Sequence, residues 1–291
     1  MSTVELPPSI PRDQLAEACR EVAGEQRLQP AAVEKDYYLT RLITALAAQL
    51  GSGILLKGGT LLSKVDLGFN RMSEDVDLVL PGTPDVRKRS NAKRVDVLRS
   101  ALLRVRQPVG VDVPMPYGER QDKDSHVTWT LRYDSEFGPQ RIIVEASIRP
   151  VMLPPRRAQL GQLLKTNDAP FGYCWALDAL EARAEKVRAA FTRRAIRDYY
   201  DLDQLERAGK DFSSAEFLAL VNAKLAELDA LPMASQSPAF GMTPSERATL
   251  QRAAREELPT VLRMDDPPFD LDGMLARFDA LWAKERNRTK R

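Results

Sequence analysis

The stretch that decides the fold is LLKGGTLLSKVDLGFNRMSEDVDLVL, Leu55–Leu80. It opens as an apolar run, turns through Gly58 and Gly59, and later sets Asp75 and Asp77 two residues apart inside a second apolar run. Successive side chains of a strand point to opposite faces. Asp75 and Asp77 therefore share a face, about 6.5–7 Å apart, while Val76, Leu78 and Leu80 take the core side. Carboxylates that close repel unless cations stand near them. One reading is a strand with a wet face; the other is a metal site facing a glycine turn. Aspartate is disfavoured in strands, so two in one short strand ask for a reason. Hard oxygen donors suit Mg²⁺ or Mn²⁺, not zinc.

Two further features bear on that choice. Gly58-Gly59-Thr60 allows close backbone approach, and amides at the helix start that follows can hold a phosphate. Glu145 lies in RIIVEASIR, where Ile143, Glu145 and Ser147 alternate with Ile142, Val144 and Ala146. On a neighbouring strand it completes a triad with Asp75 and Asp77; alternatively it is a satisfied edge-strand glutamate. GGTLLSK lacks the Walker A spacing, and no G-x-G-x-x-G is present there. Carboxylates beside a phosphate-holding turn point to metal-assisted phosphoryl or nucleotidyl transfer.

Composition narrows the chemistry. The 291 residues allow one large domain or two ordinary ones, and 43% hydrophobic residues support a sizeable core. The net charge is +2, so any nucleic-acid surface must be local. His126 is the only histidine, which removes most Ser-His-Asp, Cys-His and His-metal schemes. Cys19 and Cys174 give neither a disulfide framework nor a zinc spacing. The start, MSTVELPPSIPRDQL, shows no secretory signal, and no apolar stretch approaches the roughly 20 residues that span a bilayer. A cytoplasmic monomer is expected, with no membrane contact.

The pattern predicts a helix over 30–50, a short strand over 54–56, a short helix over 60–65 and a strand over 75–80 stopped by Pro81-Gly82. A charged helix follows over 85–106. A hairpin joins strands at 126–133 and 141–148 through SEFGPQ. Beyond Asp178 helices are expected over 178–194, 196–208, 214–229, 244–257 and 269–287, with a loop over 230–242. The boundary falls near 150–175, giving an α/β domain over 1–160 and a helical domain over 161–291.

K-G-G-T-x-L-x-K, Lys57–Lys64, followed by R-x-S-E-D-x-D-L, Arg71–Leu78, resembles the AbiEii/AbiGii toxin family. The helical half adds EKVRAAFTRRAIRDYYDL, Glu185–Leu202, which is similar to that family's second signature, and Glu34-Lys35-Asp36-Tyr37 resembles its N-terminal helix. The resemblance runs from about Glu34 to Asp203. It implies an α+β, polymerase-β-like nucleotidyltransferase fold, with a mixed sheet and an all-helical C-terminal domain. The activity it implies is that of a toxin of abortive-infection and toxin–antitoxin systems. By position Lys186 is taken to bind nucleotide phosphates, and Asp198 to contribute to the active cleft.

The expected reaction moves an NMP from an NTP to an acceptor, which the resemblance implies is the 3′ end of tRNA, with a cognate antitoxin as a further partner. Asp75, Asp77 and Glu145 are the expected metal ligands. Lys57, Gly58, Gly59, Thr60, Lys186, Arg193 and Arg197 are expected to hold the nucleotide. Asp75 or Asp198 is the general base. Alternatives are a protein or antibiotic acceptor, or a binding module without turnover. On residues alone the basic helix also reads as a solvated surface, with Arg194–Asp198 and Arg197–Asp201 ion pairs four residues apart. Tyr37, Tyr38, Trp175, Tyr199 and Tyr200 read as core rather than base-stacking rings. The terminal KERNRTKR reads as a tail or an RNA contact.

Overall fold

The computed structural model describes the chain except residues 1–5, 83–87, 114–118, 123–125, 166–171, 234–237 and 290–291; the side chains of 88–90, 119–122, 238–239 and 284–289 are likewise outside the description. Helices Arg12–Gln26 (α1) and Pro30–Leu50 (α2) come first. Pro30 suits the first turn of α2, where a missing N–H costs nothing, and Gly51 ends the helix at φ 54°. Leu39, Leu42, Ile43 and Leu46 of α2 are buried against the sheet and its flanking helices.

The glycine turn follows a two-residue strand, Leu55–Leu56 (β1). It is a single helical turn, Gly58–Leu61 (α3), that runs into a π-type turn, Leu62–Asp66. The helix expected over 60–65 thus begins two residues earlier and widens. Asp75–Pro81 (β2) is a strand whose Val76, Leu78 and Leu80 are buried. The charged helix is Lys88–Val109 (α4), its expected start at 85–87 lying outside the described residues. Glu119–Asp122 (β3), His126–Tyr133 (β4), Gln140–Arg149 (β5), Arg156–Gln159 (β6) and Tyr173–Ala176 (β7) complete the strands described.

The strands form one mixed sheet of order β3-β4-β5-β2-β1-β7-β6. β2 runs parallel to β5 and β1 parallel to β7; the remaining pairs are antiparallel. β5 is therefore internal, which removes the edge-strand reading of Glu145. α2 packs across β2, β5 and β7, and α1 and α4 pack on α2. β6 and β7 were not expected. Because they extend the sheet beyond β1, the first compact unit runs to Asp178, past residue 160.

The second unit, Ala179–Arg291, is helical. It contains Ala179–Arg193 (α5), Ile196–Arg207 (α6), Ala215–Ala226 (α7), Pro238–Gly241 (α8), Pro244–Glu256 (α9) and Leu271–Thr289 (α10). Its core holds Phe191, Phe212, Phe217, Phe240, Phe278 and Trp282, whose indole N–H donates to the Phe212 carbonyl at 2.8 Å. α8 occupies the end of the segment expected as a loop, of which 234–237 lie outside the description. The backbone of the basic terminal run is helical to Thr289; its side chains are not described. Tyr37, Tyr199 and Tyr200 are buried, as core residues should be. Among the described residues no helix is long and apolar enough to cross a membrane.

Candidate functional site

The register of the sheet builds the first cluster. Asp77 stands opposite Glu145, and Asp75 opposite Ile143, across the parallel β2–β5 pair. Opposed residues in a pair share a face, so Asp75, Asp77 and Glu145 line one side of the sheet while Val76, Val144 and Ala146 are buried on the other. Gly58 has φ 68°, and a Cβ there would lie 2.2 Å from Asp77 Oδ2. Only glycine leaves room for that carboxylate. The Lys57 amide donates to the Asp77 carbonyl at 3.0 Å, and Lys57 Nζ lies 4.0 Å from Asp77 Oδ1.

Thr60 is fully buried. Its hydroxyl donates to the Asp75 carbonyl and sits 2.7 Å from the Ser73 hydroxyl. The side chain thus fixes the start of β2, and the backbone is what the turn presents. Gly59 lies under Arg71, so close that a Cβ would be 2.3 Å from the guanidinium. Lys64 forms a buried ion pair with Asp36 of α2, whose other oxygen accepts from the Leu163 amide at 3.0 Å. Lys35 of α2 pairs with Glu74 at 3.7 Å, beside Asp75.

Burial, then the carboxylates of Asp77, Glu74 and Glu145, push Asp75 up to about 6, with Lys35 opposing them. This accumulation of negative charge on hard oxygen donors fits a divalent cation at Asp75 and Asp77. The expected three-carboxylate group is not assembled. Among the described residues no three His, Cys, Asp or Glu side chains stand together as a metal site. Glu145 is adjacent in register, opposite Asp77.

The second cluster lies wholly in the helical unit. α5 ends at Arg193, Arg194 takes φ 53°, and α6 starts at Ile196, so the basic run is two helices rather than one. The break turns Asp198 toward α5. Lys186 Nζ is 3.0 Å from Asp198 Oδ1 and 2.9 Å from Asp201 Oδ2. Arg193 binds both Asp198 oxygens, at 2.5 and 2.6 Å. Burial alone would raise the Asp198 pKa, but Lys186 and Arg193 hold it below the ordinary carboxylate value. The expected Arg194–Asp198 pair is absent, because the two residues sit across the break; Arg194 reaches Glu246 at 3.4 Å instead. Glu185 likewise binds Arg188 and Lys224, at 2.6 and 3.2 Å. Much of the basic excess read from the sequence is thus neutralised within the unit. Arg193 keeps a side chain that is 62% exposed.

Thr128 of β4 is not among the expected site residues, and His126 enters there only as the single histidine, yet both share the carboxylate face. Thr128 is opposite Glu145, and His126 is opposite Ser147. The signal was the two-residue alternation carried through the β4–β5 hairpin register.

With this geometry in hand, known proteins are informative. A family profile for the nucleotidyl transferase AbiEii toxin of type IV toxin–antitoxin systems matches residues 41–284. Among solved structures the fold is similar to MenT4, a nucleotidyltransferase toxin from Mycobacterium tuberculosis, at 21% identity and TM-score 0.62, over 94% of this chain and 89% of that one. JHP933 from Helicobacter pylori also matches, at 17% identity and TM-score 0.49, over 90% and 95% of the two chains. Among curated proteins none matches the sequence. Since the profile spans most of the chain, the protein belongs to the AbiEii nucleotidyltransferase toxin family.

Proposed function

We propose that this nucleotidyltransferase moves an NMP from an NTP to the 3′ end of tRNA, releasing pyrophosphate and blocking aminoacylation. The observation that carries the site assignment is the close approach of the Asp77 carboxylate to the Gly58 turn, with Asp75 beside it on the same strand face. That arrangement places anionic oxygens next to a backbone turn, as transfer from a metal-bound triphosphate requires. Asp75 and Asp77 would hold a divalent cation, with Glu145 on the neighbouring strand able to join them. When bound, that ion would offset charge on the triphosphate and favour attack at the α-phosphorus.

The chain's own residues then divide the work. The backbone of Gly58 and Gly59 lies against the triphosphate, with Lys57 beside it. Arg193 and Arg197 neutralise phosphate charge. Lys186, buried between Asp198 and Asp201, positions Asp198 rather than meeting phosphate itself. Of the two candidate bases, Asp75 is favoured, because both Asp198 oxygens are occupied by Lys186 and Arg193.

The test is incubation with Mg²⁺, each α-labelled NTP in turn, and total tRNA or cell protein. Label at the tRNA 3′ end, lost in Asp75→Ala and Asp77→Ala, is expected. Label only in protein or a small molecule overturns the acceptor. Variants as active as the parent overturn the site.

A further inference from the structure

We infer that the outer face of α4 is a docking surface for the sugar-phosphate backbone of RNA. The inference rests on the proposed RNA acceptor and assigns a surface to it.

The argument begins with where the positive charge is. The chain's net charge is only +2. Lys88–Val109 carries seven Lys or Arg and one acid, Asp96, so the rest of the chain is net acidic. A nearly neutral protein has thus concentrated its excess on one helix, which produces a local positive field that its overall charge conceals. In the second unit the basic run is largely neutralised by Asp198, Asp201, Glu185 and Glu246. On α4 three of the described basic residues stand in solvent. Val95, Leu98, Leu102 and Val105 are buried, while Lys93, Arg104 and Arg106 are exposed. Lys93 and Arg106 form no ion pair among the described residues. Arg104 only donates to Gln49, at 3.0 Å, and Arg99 pairs with Asp96. Lys93 and Arg104 are eleven residues apart, three helical turns and roughly 16 Å along one stripe.

The second strand of the argument is direction. α4 leaves from the far end of β2 and returns toward the carboxylates. Arg41 donates to the Pro108 carbonyl at 2.7 Å, and just beyond the helix Asp112 bridges to Arg132 of β4. Arg132 lies two residues past Thr130, whose partner Ile143 is the residue opposite Asp75. The C-terminal end of the basic stripe therefore reaches the Asp75 end of the sheet. An RNA lying along α4 can pass around that end of the sheet to the carboxylate face. A stripe of point charges without base-reading groups suits phosphate contacts, which set register and affinity rather than sequence.

The test uses the full chain, total bacterial tRNA and one α-labelled NTP. The double variant Lys93→Glu, Arg104→Glu is expected to raise the KM for tRNA at least fivefold, with kcat and the KM for NTP within twofold of the parent. Its plot of log affinity against log salt, read by fluorescence anisotropy, should be shallower by about one to two units, the loss of two phosphate contacts. The neutral double Lys93→Gln, Arg104→Gln should shift the same way by a smaller factor, which guards against a folding defect. If the parent labels tRNA and both variants match its KM and salt slope, the α4 surface is wrong and the acceptor stands. If the parent binds tRNA with an α4-dependent slope yet labels only protein, the surface stands and the acceptor is wrong.

Discussion

Two charge clusters use the same residue types to opposite ends. On the sheet, Asp75, Asp77 and Glu145 gather negative charge on a half-open face, and burial followed by the neighbouring carboxylates lifts Asp75 to about 6. Between α5 and α6, Asp198 and Asp201 are almost wholly buried, yet Asp198 is held below its ordinary range because Lys186 and Arg193 surround it. A carboxylate left under-compensated at a surface is prepared for a ligand; one saturated inside is part of the frame. Perturbed acids mark functional sites, but direction matters as much as size.

The comparison can be broken most forcefully at Lys186. Lys186→Ala would strand two buried carboxylates and should cost about 3–5 kcal/mol by chemical denaturation. Unchanged stability would mean that the inner cluster is not structural. Asp77→Ala should do the reverse: transfer falls by at least about 10²-fold, the scale of removing one electrostatic stabiliser at a reacting centre, while stability moves by less than about 1 kcal/mol. Labelling assays and melting curves on the same preparations read both. Gly58→Ala lies between these extremes. Its left-handed backbone and the contact with Asp77 should cost about 1–3 kcal/mol, with a larger loss of transfer than of stability.

The inner cluster also predicts a pH dependence. Asp198 has a folded pKa below its ordinary 3.8, so its stabilisation is complete above that value and is lost as pH falls through the lowered one. The stability gap between the parent and Asp198→Asn should be flat from about pH 5 to 8 and close below about pH 4. The smallest effect is expected at Arg247–Asp272, whose side chains are 44% and 47% exposed. Arg247→Ala should change stability by less than about 1 kcal/mol, since solvent screens the pair.

The strands and helices with strong periodicity were legible in the sequence. DVDLVL alternates plainly, α2 has an apolar body with Pro30 at its start, and the β4–β5 hairpin has its glycine-containing turn. α1 was missed because RDQLAEACREVAGEQ offers few large apolar residues and no side-chain cap. β6, RRAQ, and β7, YCWA, are too short to show a period, and their pairing is non-local. The shared face of Asp75 and Asp77 followed from strand geometry, whereas Glu145 opposite Asp77 required a parallel pairing that spacing does not specify. The capture of Lys186 by Asp198 and Asp201 was hidden for another reason. Helical spacing assumes an unbroken helix, and nothing in FTRRAIRD announces the left-handed turn at Arg194.

The glycine turn carries a last consequence. Gly58 and Gly59 suggest suppleness, but the segment around them is pinned from several directions. Thr60 is tied to Asp75 and Ser73, Ser63 donates to the Arg71 carbonyl at 2.6 Å, Lys64 is locked to Asp36, and the Gly161 amide holds the Lys64 carbonyl at 2.7 Å. Its glycines serve close contact rather than motion. The turn therefore behaves as a fixed anvil: the amides that frame it, Lys57 on the Asp77 carbonyl and Leu61 on the Lys57 carbonyl, should exchange slowly with solvent even in the absence of nucleotide.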